Sequence, residues 1–170
     1  MKNLTLNILL IFWAAVSTAG VPTTQLTETD AIRWDSSLTL PQIDGKPNIG
    51  IAGVFSGRID GKLLIAGGAN FPDRTPAANG EKKYHRDLYI YDTSQGWQII
   101  PDALPAPRAY GVSVTLPEGV LCIGGCNAEE CTNQVLLLTL DGNQPRLTPW
   151  PPLPRPLANA AGALVGHRIY

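Results

Sequence analysis

Histidine is almost missing from this chain: only His85 and His167 occur. Two imidazoles cannot build a multi-histidine metal centre, and no Cys-x-x-Cys pair offers a thiolate alternative. Runs of one charge are missing too. With Lys2 set aside, 12 basic and 14 acidic side chains are scattered along the chain, which gives no basic face for nucleic acid or an anionic membrane surface. After Ala19 no apolar run approaches the ~20 residues that cross a bilayer, and no segment repeats its apolar residues at helical spacing. What the chain has in plenty is glycine and proline, 17 and 15 residues. Both exceed average use and suit many tight turns with few helices. The expected fold is all-β.

The organising stretch is Leu104–Cys126. Val112, Val114 and Leu116 alternate with Ser113 and Thr115, the period of a strand with one face more buried than the other. Pro117-Glu118-Gly119 is a turn signal, with Gly119 expected to supply a positive φ. Val120–Ile123 is a continuous apolar run, expected as a strand buried on both faces, and Gly124-Gly125 ends it. The same grammar runs upstream from Asn48 to Gly68, through an Asp60-Gly61 turn to a second Gly-Gly pair. It starts a third time downstream, where Leu104-Pro105-x-Pro107 returns as Leu153-Pro154-x-Pro156. A repeat of about 50 residues with four strand-like runs each is the pattern of a kelch-type β-propeller.

The first full blade is expected at Asn48–Gly57, Lys62–Ala66, Asp87–Asp92 and Trp97–Ile100. The second is expected at Tyr110–Leu116, Val120–Ile123, Gln134–Leu140 and Arg146–Trp150, and Ile32–Leu40 as the outer strand of a further blade. Ser94-Gln95-Gly96 and Asp141-Gly142-Asn143 mark the outer hairpins. The third unit reaches only its second strand at Tyr170. About two blades plus parts of others cannot close a ring of roughly four to eight. Residues 20–170 are therefore expected to be a partial propeller domain, truncated at its C-terminus; several chains sharing one ring is the alternative. Alone, with Asn159–Tyr170 as an open edge, such a chain is expected to be unstable or self-associated.

Residues 1–19 read as a cleavable signal peptide. Lys2 is a minimal basic start, Ile8–Val16 is the apolar core, and Ser17-Thr18-Ala19 are the small residues before the cut. The mature chain is expected to begin at Gly20 and to be periplasmic or secreted. A membrane anchor is the alternative, with a core short of spanning length.

Cys122 lies on the apolar strand and reads as a buried thiol. Cys126 and Cys131 bracket a polar loop; in an exported chain a disulfide is the expectation, with zinc as the alternative. Asn48, Arg108 and Asn159 are expected near the starts of the innermost strands, where a propeller builds its pocket. Arg108 can hold a carboxylate by two parallel hydrogen bonds, or only tie neighbouring blades together. Tyr110 can stack on a sugar face or fill the core. The long connection 69–86 holds Asn70, Phe71, Arg74, Lys82, Lys83 and His85, a basic, aromatic and amide mixture suited to an acidic sugar. Arg108, Tyr110, Asn70, Phe71 and Lys83 are the candidate substrate-binding residues. His85 is a candidate acid or base without an identified partner.

The strings GIAGVFSGRIDGKLLIAGGANFP, KKYHRDLYIYD and PAPRAYGVSVTLPEGVLCIGG resemble the cyclically permuted mutarotase family, itself similar to the bacterial N-acetylneuraminate epimerases. The likeness covers roughly residues 30–145. It implies a cofactor-free isomerase that interconverts the anomers of sialic acid, a small sugar acid. It also implies that the family's acid/base glutamate and partner arginine fall on a blade beyond Tyr170, so no catalytic residue carries over to this chain. A non-catalytic kelch propeller binding a protein or glycan is the alternative reading; a copper oxidase on the same scaffold would need several histidine and tyrosine ligands.

Overall fold

The computed structural model describes residues 37–42 and 45–170. The expected signal peptide and the first part of Ile32–Leu40 lie outside the described residues, and positions 37–42 carry no strand.

Two four-stranded antiparallel sheets dominate the unit Leu38–Tyr170. The first runs β1 (Phe55–Ile59), β2 (Lys62–Ala66), β5 (Leu88–Asp92), β6 (Gly96–Ile100), in that spatial order. Between β2 and β5 a small ribbon is inserted, β3 (Ala69–Asn70) paired with β4 (Lys83–Tyr84). The second sheet is β7 (Val112–Leu116), β8 (Gly119–Ile123), β9 (Val135–Asp141), β10 (Gln144–Trp150). A last hairpin, β11 (Leu164–Val165) and β12 (Arg168–Ile169), begins a third unit. One 3₁₀ turn, Pro76–Ala78, is the sole helical element among the described residues. Each sheet is a propeller blade, its strands paired in chain order, and the ring is not closed.

Left-handed backbone decides where the innermost strands begin. Asn48–Gly57 and Tyr110–Leu116 were expected as strands, yet β1 starts at Phe55 and β7 at Val112. Gly50, Gly53 and Tyr110 take φ of 92°, 64° and 63°, which no strand accommodates. Gly119 corrects a second expectation. Its φ is not positive; instead a β-carbon there would lie 2.4 Å from the Leu138 carbonyl oxygen. The residue is small so that β9 can pass close.

The core lies between blades. Phe55, Leu64, Leu88 and Ile90 of the first sheet meet Val120, Cys122, Leu136 and Leu138 of the second. The opposite face of the second sheet gathers Val112, Val114, Leu121, Ile123, Val135 and Leu137. Strand β8 feeds both clusters and is buried along its whole length, as its unbroken apolar run requires. Burial pushes the Cys122 thiol up to about 12. Polar ties add register: the Ser56 amide donates to Ser113 Oγ at 2.9 Å, and Lys62 Nζ donates to Asn143 Oδ1.

Candidate functional site

Antiparallel pairing sorts the connections by end. The turns 60–61, 93–95, 117–118 and 142–143 fall at one end of the blades; the β2–β5, β6–β7 and β8–β9 connections fall at the other. Arg108, Tyr110, Asn70, Phe71, Lys83 and His85 sit in this second set of connections, Asn48 and Asn159 outside it, and backbone hydrogen bonds sew it together. Gly68 N donates to Arg108 O at 2.8 Å, Arg108 N to His85 O at 3.0 Å and Tyr110 N to Gly53 O at 2.7 Å.

The candidates divide among three cavities. Asn70, Phe71 and Tyr110 line one of about 440 Å³, together with Ile49, Ile51 and Thr75. Lys83 lines a second of about 500 Å³, with Lys82, Tyr84, Asp73, Glu81 and Glu129. Both volumes lie in the range of about 300–1,000 Å³ usual for small-molecule sites. Arg108 lines a third of only about 100 Å³. It is 5% exposed, and its Nη2 donates to Gln134 Oε1. Burial holds its guanidinium below the usual arginine range. Asn48 and Asn159 line none of the three, and Asn48 Oδ1 accepts from the Gly50 amide at 3.0 Å.

Tyr110 organises the rim. A bulky residue at positive φ is strained by roughly 1–3 kcal/mol, and here the strain sets the ring against Gly53. A β-carbon on Gly53 would lie 2.4 Å from Tyr110 Cδ1, so glycine is required opposite. The Tyr110 ring meets Tyr84 edge-on, centroids 6.3 Å apart at 83°. Lys82 completes the group: its Nζ lies 5.1 Å from the Tyr110 centroid, 5.5 Å from that of Phe71 and 5.8 Å from that of Tyr84. It also donates to Tyr110 Oη at 3.3 Å. Three aromatic faces around one ammonium are a cation–π cluster.

Asn70 is fixed from two sides. Its Nδ2 donates to the Gly50 carbonyl at 3.0 Å, which turns Oδ1 toward His85 Nε2 at 2.9 Å. With Nδ2 spent on a carbonyl, Oδ1 is the acceptor, so His85 Nε2 carries the proton and Nδ1 the lone pair. Burial first, then the neighbouring Lys83 cation, lowers the His85 pKa, while Asp87 opposes them. His85 is thus neutral near pH 7. It stands behind Asn70 and outside the lining of all three cavities. Asn70 keeps one amide N–H free to donate.

The second blade's matching connection is short and closed on itself. Cys126 and Cys131 are bonded to each other, and Asn127 Oδ1 accepts from the Glu129 and Glu130 amides, both at 2.8 Å. Lys82, Tyr84 and Gly53 were not among the chosen binding residues. One signal was available for the first two. In an alternating strand Lys82 and Tyr84 share a face, and Lys83 shares the other with His85.

Fold and site together define a β-propeller protein whose loop end gathers aromatic, amide and ammonium groups along its cavities. The model of the N-acetylneuraminate epimerase family matches residues 12–147. The chain belongs to that family. It is 38% identical over 120 residues to N-acetylneuraminate epimerase of Vibrio cholerae serotype O1, covering 65% of this chain and 31% of that one. With the Vibrio vulnificus enzyme of the same name it is 36% identical over 122 residues, covering 65% and 31%. The solved structure of YjhT superposes with a TM-score of 0.52 at 28% identity, covering 64% of this chain and 33% of that one. The chain thus spans about a third of the length of these relatives.

Proposed function

We propose that this chain is part of an exported N-acetylneuraminate mutarotase, an isomerase that interconverts the α and β anomers of sialic acid without a cofactor. The family match over residues 12–147 carries the reading. The rim supports it: Tyr110 and Phe71 offer flat faces for a sugar ring, Asn70 offers a donor, and an ammonium stands beside them. Residues 1–19 support delivery through a signal peptide to the periplasm.

Ring opening of the hemiketal removes the proton of the anomeric hydroxyl as the ring C–O bond breaks, and the ring oxygen takes up a proton. Rotation and reclosure on the other carbonyl face give the other anomer. The residues described here bind and orient. His85 holds the Asn70 amide, and Ile49 and Ile51 add apolar contact beside it. We place the acid/base pair on the part of a family-length protein that these two blades do not span.

Dissolving pure α-N-acetylneuraminate with the family-length protein and following the anomeric ratio by NMR tests the reading. Equilibration well ahead of the spontaneous rate is expected. No acceleration would remove the mutarotase assignment and leave a glycan-binding propeller.

A further inference from the structure

We propose that Lys82, rather than Arg108 or Lys83, is the specificity-determining residue that anchors the carboxylate of the ligand; the inference rests on the sugar-acid reading and deepens it. Five cations stand on the loop-end connections; Arg74 and Arg86 line none of the three cavities, Arg86 being paired with Asp102, and the structure separates the other three. Arg108 is buried and tied to Gln134. Lys83 lies on the opposite strand face from Tyr84, with its charge acting on His85. Lys82 alone stands over the rings of Phe71 and Tyr110, the two aromatic residues lining the 440 Å³ cavity.

The arrangement orients the ammonium without neutralising it. Aromatic faces and the Tyr110 hydroxyl restrict where Nζ sits, and at most one of its three N–H donors is used. Lys82 takes part in neither of the two ion pairs formed among the described residues, Arg86–Asp102 and Arg146–Asp141. In the 500 Å³ cavity, which Lys82 also lines, Lys82 and Lys83 stand among Asp73, Glu81 and Glu129, so no cation is left unopposed there. The 440 Å³ cavity has no charged residue in its lining. A sugar acid seated there sets its ring against Tyr110 and a polar group at the free Asn70 amide, and its carboxylate reaches past the Phe71 and Tyr110 rings to Lys82. The neutral lining supplies contact area; Lys82 supplies the choice of an acid over a neutral sugar.

The test compares two ligands, N-acetylneuraminate and its uncharged methyl ester, titrated by NMR into the family-length protein, its K82M, K82R and K83M variants, and checked for folding by thermal unfolding. Unaltered protein is expected to prefer the acid by about tenfold, the scale of one charge-assisted hydrogen bond. K82M is expected to lose that preference while keeping its ester affinity; K82R and K83M are expected to keep it. Preference retained in K82M, or lost in K83M instead, would overturn the assignment, as would equal weakening of acid and ester. Anomer interconversion is measured in parallel. Binding of the acid with no rate enhancement would sink the mutarotase reading and leave the Lys82 assignment standing, whereas failure to bind either sugar would overturn the Lys82 assignment itself.

Discussion

The two inter-blade corners share one backbone and differ in what they carry. Gly68 N donates to Arg108 O at 2.8 Å, and Gly125 N to Leu157 O at 2.7 Å. Tyr110 N donates to Gly53 O at 2.7 Å, and Asn159 N to Tyr110 O at 2.8 Å. The Gly-Gly pairs take φ of 65° and 94° at the first corner and 62° and 100° at the second. On this common frame Arg108 corresponds to Leu157, Tyr110 to Asn159 and His85 to Thr132. The long connection 69–84 corresponds to the short disulfide loop 126–131. The frame is what makes a blade; the substitutions on it are what make a pocket, and only the first corner has one of aromatic and cationic character. The repeat signature therefore reports fold, and departures from the repeat report function.

The largest expected effect falls on the shared frame. A β-carbon at Gly67 or at Gly124 would lie 2.3 Å from the facing carbonyl oxygen of Arg108 or Leu157. Gly67→Val and Gly124→Val are each expected to cost about 3 kcal/mol or more, read from denaturant unfolding. Tolerance at one position alone would break the equivalence of the corners.

Next comes the buried position. Arg108→Leu makes the first corner resemble the second. It is expected to change stability by about 1 kcal/mol or less, since buried charges often trade evenly for apolar side chains. A large loss in Arg108→Leu would give that arginine a structural role absent from the comparison.

Tyr110→Asn imports the residue of the second corner. Asparagine tolerates a left-handed backbone, so unfolding should be unchanged or harder by about 0.5–1 kcal/mol, while affinity for the sugar falls about tenfold as the ring is lost. Calorimetry and NMR titration on one preparation check both. Unaltered affinity would move the sugar away from Tyr110.

The smallest effect is a pH dependence. The folded pKa of His85 lies below its ordinary value of 6.5. Between the two values the unfolded chain binds more protons, so stability rises with pH there. That contribution is fully present above about 6.5 and is lost as pH falls through the lowered value. His85→Gln keeps a partner for Asn70 and should flatten stability against pH across this window, whereas the Thr132 corner has no such term. An unchanged slope would assign the acid sensitivity elsewhere.

Much of the blade plan was legible because it rests on local chemistry. Asp60-Gly61 and Gly142-Asn143 turn hairpins where their residue types require, and the apolar run of β8 demanded burial on both faces. The starts of the innermost strands were hidden, since nothing in the identity of Tyr110 announces a positive φ; only the facing Gly53 explains it. The burial of Arg108 had a readable sign, because the repeat puts Leu157 at the same place. Its partner Gln134 comes from another strand, 26 positions on. Alternation alone puts Lys82 on the Tyr84 face and Lys83 on the other; which of the two faces meets Phe71 and Tyr110 depends on how β4 pairs with β3.

The most direct test of the unequal corners is a backbone amide NMR titration of the protein with N-acetylneuraminate. Shifts are expected at Asn70, Phe71, Lys82, His85 and Tyr110, with 126–134 and Asn159 silent. Shifts confined to the second corner, or none at either, would contradict the account.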